Sequence, residues 1–183
     1  SIPSIRPDVQ AEFTARVYFS RGEQSRLSPA AEETPLRAGA GWYRGDLHLH
    51  TGHSDGSCAS RRAVRVPCPL FLTLSGAADR GLDFVAVTEH NTISHIGELR
   101  TLQPYFDDLL LIPGMEVTTF QGHANAFGLT APIDFRVGSP SVPDWTTLLQ
   151  RLAQRGLVVS INHPAMPSGE ICMGCGWRPQ PPA

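Results

Sequence analysis

The chain has 183 residues, 41% of them apolar and 17% charged, with a formal net charge of −2, the composition of one soluble globular domain long enough to bury a core. No apolar run approaches the roughly 20 residues of a membrane span, and near-neutral charge without a basic run gives no sign of a broad nucleic-acid footprint. All 15 basic residues are Arg, so Schiff-base, P-loop and kinase-type lysine chemistry is excluded as well.

The chain begins at Ser1 without an initiator Met or a charged-then-apolar leader, as a processed or excised form would. Residues 11–20 alternate Phe13, Ala15, Val17 and Phe19 against Thr14, Arg16 and Tyr18, the period of a half-buried strand. A polar, aperiodic stretch follows up to Gly41. The expected organisation is therefore a strand segment ending a preceding domain (1–20), a linker (21–41) and a main domain (42–183). Within that domain, strands are expected over 45–50, 83–88, 109–112, 124–129 and 157–162, and helices over 69–80, 94–102 and 144–155. The alternation argues for parallel βα units. The last helix is the clearest: Asp144 can cap it, Trp145, Leu148, Leu149 and Leu152 share one face, and Gly156 stops it.

Six of the seven His residues fall in or beside the ends of these strands. In DLHLHT the two-residue period of a strand puts Asp46, His48 and His50 on one face and Leu47 and Leu49 on the other. Two imidazoles so placed can share a metal, with Asp55 in the following loop as a hard oxygen donor; alone, the pattern also suits two surface histidines. Four further segments end or follow apolar runs with ligand-type residues: Glu89 and His90, Glu116, His123, and His163 before Pro164. In a parallel α/β sheet or barrel the carboxyl ends of the strands lie on one side, so these groups can converge.

The segments DLHLHTGHSDG, TEHN, PGMEVT, GHANAFG and INHP together resemble, in order, the motifs of the PHP (polymerase and histidinol phosphatase) superfamily of metal-dependent hydrolases. GWYRGDLHLHTGHSDGSC and CMGCGW are most similar to its carbaryl-hydrolase-like branch. The resemblance implies a distorted (β/α)7 barrel. It implies that His48 and His50 bind one metal, that Glu116 bridges it to a second completed by His123 and His163, and that Asp55 and His90 mark a third position. Glu89, where relatives often carry Asp, reads as an acceptor behind the ligands, a role Asp46 could share. His53 reads as substrate-facing or solvent-facing and His95 as structural. The superfamily's late strand with an Asp-x-His element has no counterpart after His163, so the domain is expected to be C-terminally incomplete.

Mixed imidazole and carboxylate donors suit two or three divalent ions of Zn, Mn or Fe. The expected activity is hydrolysis by metal-activated water of a phosphoester or of a carbamate, ester or amide bond in a small-molecule substrate. No membrane or nucleic-acid partner is implied, and oligomeric state is left open. The alternative is a non-catalytic metal-binding or structural fragment lacking the final ligand strand. No G-x-S-x-G elbow is present, and a glycosidase pair of Glu89 and Glu116 would leave five His unexplained. Cys172 and Cys175 form a CxxC, while Cys58 and Cys68 flank an Arg-rich insertion. In an exported protein these read as disulfides, in a cytosolic one as a structural zinc site or thiols, and three connectivities are open. Because the resembled branch is often exported, disulfides and a periplasmic or secreted location are expected.

Overall fold

The computed structural model describes residues 39–59, 64–170 and 172–179, together with residues 10, 12 and 14. Nearly all of the strand expected over 11–20 and of the expected linker lies outside the described residues. The elements follow in the order β1 (Gly45–Leu49), β2 (Ser57–Ala59), β3 (Arg65–Pro67), α1 (Leu70–Ala78), β4 (Phe84–His90), α2 (Ile96–Leu102), β5 (Leu110–Thr119), β6 (Gly122–Phe127), α3 (Trp145–Gln154) and β7 (Val158–Asn162). β2 and β3 form a small antiparallel hairpin apart from the main sheet, whose order is β1-β4-β5-β6-β7.

The expected parallel pairing holds for β1, β4 and β5 but not for β6, which runs antiparallel to both β5 and β7. The cause is the length of β5. It continues past Ile112 to Thr119, which leaves Phe120 and Gln121 as the whole connection to β6. Two residues can turn the chain back on itself but cannot make a parallel crossover. Gly122 leaves this turn at φ +145°, in the region glycine favours.

Side-chain contacts show that the sheet curls. With strands about 4.8 Å apart, a flat sheet would hold β1 about 14 Å from β6 and about 19 Å from β7. Yet Asn125 of β6 donates from Nδ2 to the Leu47 carbonyl of β1 at 2.9 Å, and the ring of His163, just past β7, lies 5.9 Å from that of His48. The result is a mixed α/β fold with a curled half-barrel sheet. Among the described residues β1 and β7 each pair on one side only, so no closed (β/α)7 repeat forms.

Strand alternation assigns the two faces. Glu116 and Asn125 face the hollow, whereas their neighbours Met115, Val117, Ala124 and Ala126 face outward against Trp145, Leu148 and Leu152 of α3. Leu70 and Leu74 of α1 and Leu99 of α2 pack in the same way on Val85, Val87 and Leu111. α3 begins as expected, with the Asp144 carboxylate accepting from the Thr147 N–H at 2.7 Å, and Gly156 follows it at φ +71°. No helix among the described residues is long and apolar enough to cross a membrane. Apolar helices on one face leave the other for polar chemistry.

Candidate metal centre

The first ligand strand departs from strict alternation. Asp46 pairs with Val85 and Leu49 with Val87, so three steps along β1 match two along β4. This bulge puts Asp46 and Leu49 opposite residues of the same parity, and Leu49 packs into the outer core. Asp46 therefore does not share the face of His48 and His50, as simple alternation predicts. It is exposed, and its Oδ1 accepts from the His48 N–H at 2.8 Å, which fixes the bulge from behind.

Beyond the bulge, His48 and His50 converge on Glu116. Nε2 of His48 and Nε2 of His50 are 3.0 Å apart, and each is 3.2 Å from Glu116 Oε2. Nitrogen and oxygen ligands held at about 2.0–2.2 Å around one tetrahedral ion lie roughly 3.3–3.6 Å from each other. The three donors thus already form a triangle close to one face of such a tetrahedron. Glu116 Oε2 is buried without a hydrogen bond, as is Nδ1 of His123. Buried polar atoms of this kind need a partner, and a divalent cation fits the donor set here. Burial alone would raise the Glu116 carboxyl, but the imidazoles of His123, His48, His50 and His90 outweigh it and hold it well below the usual carboxylate range.

The other carboxylate oxygen faces a second pair. Nδ1 of His123 lies 3.4 Å, and Nε2 of His163 3.5 Å, from Glu116 Oε1. Hydrogen bonds behind the rings set their tautomers. His123 Nε2 donates to the Met173 carbonyl at 3.0 Å and His163 Nδ1 to the Cys175 carbonyl at 3.4 Å, so the nitrogen facing Glu116 keeps its lone pair in each ring. His123 reaches this position because β6 is antiparallel: the start of β6 lies beside the end of β5. His163 sits at φ +29°, a strained conformation for a non-glycine residue that turns its ring inward just after β7.

Asp55 and His90 meet at the rim. His90 Nε2 is 3.4 Å from Asp55 Oδ2, and its Nδ1 is 3.0 Å from Glu116 Oε2. His50 Nδ1 is 3.8 Å from Asp55 Oδ1, so a third position would draw on the outer nitrogen of a ring whose inner nitrogen serves the first. Glu89 is fully buried and outside these donor groups. It accepts from the Thr51 N–H at 2.8 Å, from the Thr51 hydroxyl at 2.5 Å and from the Ser54 hydroxyl, which ties down the loop that carries Asp55. His53 turns away from the cluster, with its ring nitrogens on Ser94 Oγ at 2.9 Å and Glu98 Oε2 at 3.1 Å.

Sequence reasoning missed the asparagines. Asn162 Nδ2 lies 2.8 Å from both Glu116 Oε1 and Asn125 Oδ1, and Asn125 in turn reaches Leu47, so the Glu116 carboxylate is tied into a hydrogen-bond chain that crosses β7, β6 and β1. The available signal was an amide between Ala124 and Ala126 in a strand whose other polar side chain is His123. The cysteines pair as Cys58–Cys68, across the β2–β3 hairpin, and Cys172–Cys175.

His95 is fully buried at the start of α2, and burial, with His53 nearby, pulls its pKa down to about 4. An unfolded chain takes up this proton near pH 6.5, whereas the folded one resists it down to about pH 4. Stability should therefore fall as the pH drops through this window, by up to about 3 kcal/mol from this group. Denaturant unfolding between pH 7 and 4 should show a shallower loss for His95→Leu. An unchanged slope would remove His95 as the cause.

No family model matches the sequence, and no curated protein matches it. Among solved structures, the chain is similar to a two-domain protein from Bacteroides vulgatus that contains a predicted PHP-like metal-dependent phosphoesterase. The identity is 25% and the TM-score 0.45, over 67% of this chain and 35% of that one. The chain thus spans about a third of that protein's length.

Proposed function

We propose that the chain is a metal-dependent hydrolase of the PHP type that cleaves a phosphoester, or a carbamate, ester or amide bond, in a small-molecule substrate. The observation that carries the reading is the triangle of His48, His50 and Glu116 Oε2 with 3.0–3.2 Å sides, backed by His123 and His163 on the opposite carboxylate oxygen. In this reading Glu116 is shared by two cation positions, one with His48 and His50 and one with His123 and His163. The donor set suits Zn, Mn or Fe. Bound there, such ions would supply Lewis acidity for activating water near neutral pH and for polarising the oxygen of the electrophile.

The chain's own residues supply geometry and charge. Asn162 and Asn125 fix the plane of the Glu116 carboxylate, and the Met173 and Cys175 carbonyls hold His123 and His163 with their lone pairs inward. Asp55, on the exposed rim, and His90 beside it offer polar groups to an incoming substrate in this reading. The likeness of the first and last motifs to the carbaryl-hydrolase-like branch favours including a carbamate among the test substrates, and both cysteine pairs accord with an exported protein.

The test is turnover of p-nitrophenyl phosphate, a naphthyl carbamate and a naphthyl ester, before and after chelation and with Mn2+ or Zn2+ restored. Metal-dependent cleavage of at least one substrate is expected. A chain that binds metal yet cleaves none of them would favour the non-catalytic reading.

A further inference from the structure

The CxxC segment lies against the inner histidines. One donor atom from each of His123, His163, Cys172 and Cys175 falls within 4.8 Å of all the others, and Cys175 Sγ is 4.0 Å from His163 Nε2. Two cysteines with two residues between them, together with two histidines, are the donor set of a structural zinc site. Ligands at about 2.0 Å for nitrogen and 2.3 Å for sulfur sit roughly 3.3–3.8 Å apart around zinc. The four donors would need to move together by only about an ångström. The buried Nδ1 of His123, which has no hydrogen bond, is open to such an ion as it is to one beside Glu116.

The sulfurs are kept here by more than their own bond. Gly174 has φ +79°, and its backbone lies so close to Thr119 and Phe120 that no side chain would fit. Its N–H donates to Ser168 Oγ at 2.8 Å. The Trp177 N–H donates to the Pro164 carbonyl and the Arg178 N–H to the Gln121 carbonyl, while Trp177 packs on Trp145 with ring centres 4.7 Å apart. Cutting the disulfide therefore leaves both cysteines beside the histidines. Cys172, half-buried, is open to an attacking thiol, whereas Cys175 is fully buried.

We infer that Cys172 and Cys175 form a redox gate on the inner metal position: reduced, they join His123 and His163 in a closed four-donor zinc site, and oxidised, they leave that position to Glu116 and the two histidines. The inference rests on the reading of His123 and His163 as metal ligands. A dithiol reductant delivers two electrons and two protons to the Cys172–Cys175 bond and becomes a disulfide itself. Zn2+ then displaces the two thiol protons, since the thiolate is the ligand. A closed site has no vacancy for substrate or water, which is the mark of structural rather than catalytic zinc. A chain reduced before export would hold its inner ion locked; an oxidising disulfide that takes two electrons from the thiolates, and is itself reduced to a dithiol, would re-form the Cys172–Cys175 bond, free the ion from the sulfurs and open the position.

The test is Co2+ titration of the full chain in its disulfide and dithiol forms, read by absorption, with zinc affinity measured by chelator competition. The reduced chain should show a near-ultraviolet thiolate-to-cobalt charge-transfer band and hold zinc at least about tenfold more tightly than the oxidised chain. The band should vanish in Cys172→Ser/Cys175→Ser and persist in reduced Cys58→Ser/Cys68→Ser, which keeps only the CxxC. Cobalt bound by the oxidised chain, with no charge-transfer band after reduction, would overturn the gate and leave the hydrolase reading intact. A band in the reduced chain with no cobalt bound by the oxidised one would support the four-donor site and count against the hydrolase.

Discussion

Replacing Glu116 with Gln should reduce metal affinity by more than about a hundredfold and abolish hydrolysis with it, because substitutions merely behind a ligand already cost about 10–100-fold. Its two oxygens face two different imidazole pairs, so one substitution removes the negative charge from both cation positions of the proposed centre. The amide also puts an NH2 group where a lone pair is required. If that group replaces Oε1 it meets the donating amide of Asn162, and if it replaces Oε2 it points into the triangle with His48 and His50. His53→Ala is the matched control. It removes contacts to Ser94 and Glu98 in a half-exposed setting and should leave metal content unchanged. Metal analysis of the two folded variants decides the matter, and comparable losses would mean that Glu116 is not the shared ligand.

Glu89→Ala should have the largest effect on stability. The carboxylate is fully buried and takes hydrogen bonds from the Thr51 N–H, the Thr51 hydroxyl and the Ser54 hydroxyl. Truncation strands donors in a buried setting, at about 1–3 kcal/mol for each group left unsatisfied. A total of roughly 3 kcal/mol is expected in denaturant unfolding. The loop that carries Asp55 loses its anchor at the same time, so faster amide exchange over residues 51–56 should accompany the loss. A change under about 1 kcal/mol would show that water replaces the carboxylate without cost, and that Glu89 does not organise the rim.

The sequence reveals features that local chemistry dictates. The period of Trp145, Leu148 and Leu152, with Asp144 before and Gly156 after, marks α3 because capping and amphipathicity act within a few residues. The histidines are legible for a related reason: polar groups that end apolar runs stand out against a buried background. Long-range geometry is less legible. The direction of β6 depends on how far β5 extends past Gly114, and no local signal marks Thr119 as its end. The bulge in β1 is set by pairing with β4, so the face of Asp46 cannot be read from DLHLH alone. The β2–β3 hairpin carries no apolar alternation and is held by contacts that include Gly52 and Gly56 with Cys68. The proximity of the CxxC to His123 arises from the curl of the sheet and the return of the chain after His163.

The most direct test of the shared-carboxylate centre is anomalous diffraction from crystals of the chain grown with Zn2+ or Mn2+. The account predicts two peaks flanking Glu116, one between Oε2 and the Nε2 atoms of His48 and His50, the other between Oε1 and the rings of His123 and His163. Peaks confined to other residues, or a metal-saturated chain with no peak at either oxygen of Glu116, would contradict it.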